Sequence, residues 1–473
     1  MEDNTESFAR ELKAVFKGEL LFPTDTDYPE ARRVWNALAD RNPAVIARCR
    51  KISDVQTAIR VASAACMPTA VRCGGHSLAG FGSCDNGLVL DLSGMRGILI
   101  DENSRRAYAQ GGCLLSTIDT ATQKVGLAFP AGVVSHTGAA GLILGGGTGW
   151  LTRRFGMSCD NVERFTLVAA DASIVRASAR ENAELFWALR GGGGNFGVVT
   201  QFVLKLHPLA SVLLGSGICC GEGISGVVRD WRDFMPEAPD DLKWNLSLQL
   251  SRESTARPGQ GHHEPALVET IAWLGDKTSG GRYLNRILSI GNPTHVKREA
   301  VSFTELQTMA DQEFPRGRRY YTKSGYFGTL DDDSIGQMME ALASIPSPSS
   351  QIELAYLGGA AARVGPSEAA FGSRAAPYIV NILGSWEQAS ADAENIGWVR
   401  TLFAKLRPAM APGVYINFMS GDEEDRVQEA YQGHWRRLVA VKTHYDPGNF
   451  FRLNQNIPPR RSSSGTRREK QPD

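Results

Sequence analysis

Residues 138–162 read GAAGLILGGGTGWLTRRFGMSCDNV, with six glycines ahead of a tryptophan, two arginines and a Cys-Asp-Asn turn. Glycine gathers where backbone must approach something closely or turn through positive φ. The pattern extends outward from this stretch to VRCGGHS at 71–77, to Gly111-Gly112, and to LRGGGGNFG at 189–197. Of the 50 glycines, 23 fall between Val71 and Thr200. Taken singly, each loop reads as an ordinary tight turn. Together, four glycine loops beside predicted strand or helix ends expose many amides, an arrangement that suits the pyrophosphate of a large anionic cofactor. The VRCGGHS loop carries neither a GxGxxG fingerprint nor a GxxxxGK[ST] phosphate loop.

The rest of the composition excludes several classes. The chain has 473 residues, 42% hydrophobic, with 51 Lys plus Arg against 51 Asp plus Glu. Such length suggests two or three folding units with real cores. The zero net charge offers no global basic field for nucleic acid or an anionic membrane. No run of 18 apolar residues exists, residues 138–151 being too short and glycine-rich to span a bilayer, and the N-terminus (MEDNTESFARELKAVF) lacks a signal-peptide core. A cytoplasmic protein without a membrane partner is expected. The eight cysteines show no CxxC, so neither a disulfide framework nor a metal site is favoured, and most read as small core fillers. The adjacent pairs His262-His263 and Cys219-Cys220 read as structural, because neighbouring side chains on a strand point apart.

Along the chain, residues 1–39 read as a helical lead-in (SFARELKAVFKGEL, then YPEARRVWNALAD). AVIARC and PTAVRC read as strands flanking a helix, SDVQTAIRVASAAC, with Ser53 as its N-cap. Further strands follow at GLVLDLS, GILIDEN, RAYAQGG, FTLVAAD, SIVRAS and VVTQFVLKLHP; with few long helices between them this is α+β rather than doubly wound. After Pro208, alternating segments (LKWNLSLQLSRE, ALVETIAWLGD, IELAYLGG, YIVNILGSW) predict an antiparallel sheet with one covered face. The expected division is a lead-in at 1–39, a glycine-rich domain at 40–209, a second domain at 210–439, a returning segment at 440–459 and a disordered basic tail at 460–473. A strand around Tyr415 and a helix over EDRVQEAYQGHWRRLVAVKTHY lead to the end of the chain.

These motifs, with IARC, AQGGCLL, YINF and HYDPGNFFRLNQNIPP, resemble the FAD-linked oxidases of the vanillyl-alcohol-oxidase superfamily that carry a PCMH-type FAD-binding domain. The likeness is to the berberine-bridge-enzyme-like group, in the style of bacterial natural-product tailoring oxidases, and it runs along nearly the whole chain. It implies a two-subdomain FAD-binding domain and an antiparallel-sheet substrate domain covered by helices. It also implies FAD held covalently twice, by His76 at the 8α-methyl carbon and by Cys159 at C6. A neutral imidazole can attack an electrophilic methide at that methyl, and a thiolate can add at C6. Two tethers would let an open pocket keep its cofactor, which suits bulky substrates.

The resemblance places further cofactor contacts at Arg72, Gly74, Gly75, Ser77, Thr137 and Gly138, then at Gly141, Gly145, Gly146, Gly147, Asp160 and Asn161. Gly194, Asn195, Gly197, Val198 and, from the returning segment, Asn454 and Gln455 complete the set, with Tyr415 and Asn417 facing the ring. Thr137, small for its place beside the flavin edge, leaves a path for dioxygen; its bland alternative is strand-end packing. Tyr415 is expected to take the proton of a substrate hydroxyl, with Asn417 on the same strand face and Glu353 as a second candidate base. Tyr326 and Tyr356 are weaker contenders. A phenol is a poor base unless neighbours such as Lys323, Arg363 or Asn417 stabilise phenolate. The expected partners are a small-molecule substrate and dioxygen. The reaction implied is hydride transfer from a metabolite or sugar alcohol to flavin with release of hydrogen peroxide; oxidative cyclisation or C–H oxidation is the alternative.

Overall fold

The computed structural model describes residues 2–251 and 264–460. His262-His263 and, apart from Arg460, the expected tail lie outside them. The first sheet joins β1 (Glu19–Leu21), β2 (Val45–Arg48), β3 (Thr69–Arg72) and β4 (Leu88–Asp91) in the order β1-β2-β4-β3, with β4 parallel to both β2 and β3. Its strands are almost wholly buried because helices and a second sheet cover them, as parallel pairing demands. That second sheet is antiparallel, built from β5 (Ile98–Asp101), β6 (Arg106–Gln110), β8 (Val162–Val168), β9 (Ile174–Ser178) and β10 (Val198–Lys205) in the order β5-β6-β10-β8-β9. A two-residue pair, β7 (Leu127–Ala128) with β11 (His207–Pro208), ties the exit from β10 back to this body.

The third sheet is antiparallel and seven-stranded, β15-β12-β14-β13-β17-β18-β16. It comprises β12 (Ser211–Cys220), β13 (Leu242–Leu250), β14 (Pro265–Trp273), β15 (Thr294–Ser302), β16 (Arg319–Phe327), β17 (Gln351–Tyr356) and β18 (Tyr378–Trp386). The alternation in sequence works as the pleat requires. Ile352, Leu354 and Tyr356 of β17 join a core with Trp231, Ile287, Met338 and Leu402 from four covering helices, while Glu353 faces the other way. The fold is thus α+β with a helix-covered antiparallel sheet, as expected.

Several local expectations fail. The lead-in is not wholly helical: after the helix Glu2–Val15 the chain enters β1, and the second helix is only Tyr28–Ala31. Residues 19–21 therefore belong to the first sheet rather than to a separate segment. The helix at 52–64 is capped by Asp54, whose Oδ2 accepts the amides of Arg50 and Lys51; Ser53 lies inside the helix. No strand runs through Tyr415; Ile416–Phe418 is a 3₁₀ turn. The long closing helix is broken at Gln432, where φ is +47°, into Val427–Tyr431 and Trp435–Tyr445. The return to the glycine-rich body also begins earlier than residue 440. Val414, Ile416, Met419, Val427 and Tyr431 already pack into the core built on Phe165, Trp187 and Phe202.

Candidate active site

A cavity of about 370 Å³ lies between the glycine loops and the uncovered face of the third sheet. From β3 the chain passes through Cys73 and the two glycines to His76. Gly74 meets Gly138 backbone to backbone: a Cβ on Gly74 would lie 2.7 Å from Gly138 Cα, so no side chain fits there. Gly193, at φ +73°, turns the last of the glycine loops beside the same cavity.

His76 lines the cavity with its ring stacked on Trp35, centroids 4.5 Å apart, and its Nε2 is 2.7 Å from His136 Nδ1. Burial, then the neighbouring His136 and Arg316, hold its imidazole well below the usual histidine range. It is neutral at physiological pH, the state in which an imidazole is nucleophilic. Trp35 and His136 were missed in sequence because neither sits in a glycine loop; His136 stood in plain view beside Thr137. Arg72 Nη2 pairs with Asp91 at 2.8 Å, while Nη1 is buried without a partner. Arg316 crosses from the other body to bond the Gly74 carbonyl at 2.7 Å.

Most expected contacts do line the cavity: Arg72, Gly74, Gly75, Ser77, Thr137 and Gly138, then Gly141, Gly194, Gly197 and Val198, and from the return Tyr415, Asn417, Asn454 and Gln455. Others are brought to its supports instead. Asp160 is locked to Arg374 at 2.6 Å, and Asn161 caps backbone at Phe155 and Met157. Asn195 ties Gly192 to the return through Gln455 and Ile457. Gly145 makes room for Asn417, and the Gly147 amide donates to Tyr415. Gly146 receives the Cys159 amide.

Cys159 is the main correction. It is fully buried, does not line the cavity, and packs among Met157, Tyr326, Phe371 and Tyr415 with Sγ 3.6 Å from Asp160 Oδ1. Burial and the adjacent carboxylate push its thiol far up, so the thiolate needed to add to a flavin is suppressed. The thiol on the cavity wall is that of Cys73, also pushed up by burial, to about 11.

The two candidate bases differ in their surroundings. The Tyr415 hydroxyl accepts hydrogen bonds from Gly147 N (3.1 Å) and Asn417 Nδ2 (3.0 Å), yet burial still pushes its phenol to about 12. Lys323 is held by Asp422 and Arg363 by Asp240, so neither supports a phenolate. Tyr326 and Tyr356 are absent from the cavity wall. Glu353 is on that wall, and burial lifts its carboxyl to about 7 against hydrogen bonding from Asn381. A carboxyl poised near neutrality suits proton transfer; a phenol at 12 does not.

FAD is tested against these residues by their leftover donors. A buried guanidinium nitrogen without a partner and three glycine walls fit a pyrophosphate, and a neutral imidazole on the wall fits attachment to the ring. Among the described residues no group of His, Cys, Asp or Glu is disposed to hold a metal, and no helix is long and apolar enough to cross a membrane.

A family described as FAD binding domain matches residues 43–178, and one described as berberine and berberine like matches 414–458, the segment carrying Tyr415, Asn417 and Asn454. The chain is 31% identical over 458 residues to the FAD-linked oxidoreductase YgaK of Bacillus subtilis, covering 95% of this chain and 99% of the relative. It is 28% identical over 460 residues to (R)-6-hydroxynicotine oxidase of Paenarthrobacter nicotinovorans, covering 94% and 97%. The crystal structure of 6-hydroxy-D-nicotine oxidase from Arthrobacter nicotinovorans superposes with a TM-score of 0.84 at 27% identity, over 94% of this chain and 98% of that one.

Proposed function

Because this chain belongs to the FAD-linked oxidoreductases of the berberine-bridge-like family, we propose that it is an oxidase of small-molecule alcohols in which Glu353 accepts the substrate hydroxyl proton. The observation that carries this reading is the Glu353 carboxyl, poised near pH 7 on the wall of the cavity. Bound there, FAD supplies a two-electron acceptor for the hydride from the adjacent carbon and is reoxidised by dioxygen, giving hydrogen peroxide.

The chain's own residues do the rest. Arg72 and the glycine loops at 74–75, 138–141 and 193–197 would hold the pyrophosphate, and His76 alone would tether the ring. Tyr415 and Asn417 wall the site and fix the 145–147 turn through the Gly147 amide. Thr137 leaves the oxygen path open. Phe314 and Leu383 line the same cavity as Glu353 and offer apolar surface, which favours a substrate with a hydrophobic body over one bristling with hydroxyls.

A peroxide assay across a panel of aliphatic, aromatic and sugar alcohols tests the reading. Activity should rise with pH through about 7 as Glu353 ionises, and Glu353→Gln should lower the rate of anaerobic flavin bleaching by about 10²–10⁴-fold. Reduced enzyme that stays bleached in air, or unchanged bleaching in Glu353→Gln, would overturn it.

A further inference from the structure

Glu353 is gripped on both carboxyl oxygens. Asn381, directly opposite on β18, donates from Nδ2 to Oε2 at 2.7 Å. Gln351, two residues back on β17, donates from Nε2 to Oε1 at 3.1 Å. A primary amide can present either end to a neighbour, but an ionised carboxylate only accepts, so both NH₂ ends must face it. That leaves the two amide oxygens, and each is met by a hydroxyl. Thr322 Oγ1 donates to Asn381 Oδ1 at 2.5 Å, and Ser247 Oγ donates to Gln351 Oε1 at 2.7 Å. The chain Thr322–Asn381–Glu353–Gln351–Ser247 thus crosses four neighbouring strands, β16, β18, β17 and β13, with one consistent polarity. Thr322, Asn381 and Gln351 are at most 5% exposed, while Glu353 and Ser247 are half-buried.

We infer that Asn381 and Gln351, oriented by Thr322 and Ser247, are positioning residues that hold the Glu353 carboxylate in a single rotamer facing the cavity. The inference rests on the reading of Glu353 as proton acceptor. An unclamped glutamate has three rotatable bonds, and a base must stand within hydrogen-bond reach of the proton it takes. The two amides stabilise the charged form as well as fixing it in place. The other charged or titratable groups nearby do neither. Lys323 on β16 is turned to Asp422 and Glu423, Lys243 on β13 to the Tyr356 carbonyl, and Tyr415 to Gly147 and Asn417. Glu313, in the loop before β16, acts against ionisation.

The test is an infrared pH titration of the FAD-loaded enzyme. It follows the carbonyl stretch of the protonated carboxylic acid, the Glu353 band being the one absent from Glu353→Gln. Asn381→Leu should raise the midpoint by about one pH unit, a tenfold weaker acid, the worth of one hydrogen bond to a charged group. Gln351→Leu should raise it less, its bond being longer. Thr322→Val should shift it in the same direction while Thr322→Ser restores the wild-type midpoint; this pair serves should Asn381→Leu fail to fold. Midpoints unmoved in folded Asn381→Leu, or in Thr322→Val, would overturn the clamp. Shifted midpoints with undiminished anaerobic bleaching in Glu353→Gln would keep the clamp and remove the catalytic reading on which it was built.

Discussion

His76 and Cys159 show how much a side chain's surroundings decide. Both are nucleophile types near glycine turns, and the family resemblance pairs them on one ring. Burial acts on them in opposite senses: it keeps the imidazole neutral, which is its nucleophilic state, and keeps the thiol protonated, which is its inert one. The expected outcome is a mass increase of one FAD that survives denaturation, lost in His76→Ala and retained in Cys159→Ala. Intact mass under denaturing conditions checks it, and FAD retained in His76→Ala would contradict it. Glu353 obeys the same rule. Desolvation lifts its carboxyl to about 7, so it is an acid below that pH and a base above it.

At the level of elements, the third sheet has two faces with separate duties. The helix-covered face holds one charge-bearing residue out of place: Glu269 on β14 is fully buried, and neither carboxyl oxygen has a hydrogen bond of normal geometry among the described residues. Burial raises its carboxyl from 4.5 to about 7. A group whose folded value is raised stabilises the fold fully below its unfolded value and loses that contribution as pH rises through the folded one. Stability should therefore decline between about pH 4.5 and 7 and level off above. Glu269→Gln should flatten the decline and be the more stable protein at pH 8, by about 3 kcal/mol. Urea melts at a series of pH values measure this, and a parallel decline in the variant would contradict it. The opposite face of the same strands carries Glu353, Asn381 and Leu383 to the cavity. Alternation in IELAY and YIVNILGSW made both faces legible. THVKREAVS and RYYTKSGYF, less regular in their apolar pattern, hid β15 and β16.

In the whole molecule, the site depends on the returning C-terminal segment meeting the glycine loops. Lys442, wholly buried, bonds the carbonyls of Asn195 and Phe451 and pairs with Asp446 at 2.6 Å, binding the return to a glycine loop. Lys442→Met strands the buried Asp446 carboxylate and should cost about 3–5 kcal/mol, which thermal melting reads. Melting indistinguishable from the parent would contradict it. The glycine loops, the alternating strands and the α+β class were set by local rules of φ, pleat and period, and these the sequence carries within a few residues. So were His76, Glu353 and the YxN pair as chemical types. Which of them share a wall depended on contacts hundreds of positions apart: Tyr415 reaching Gly147, Arg316 reaching Gly74, Thr322 setting Asn381. Desolvation, which lifts the Glu353 carboxyl and the Cys159 thiol, is a property of surrounding atoms from every part of the chain, and only the packed structure supplies it.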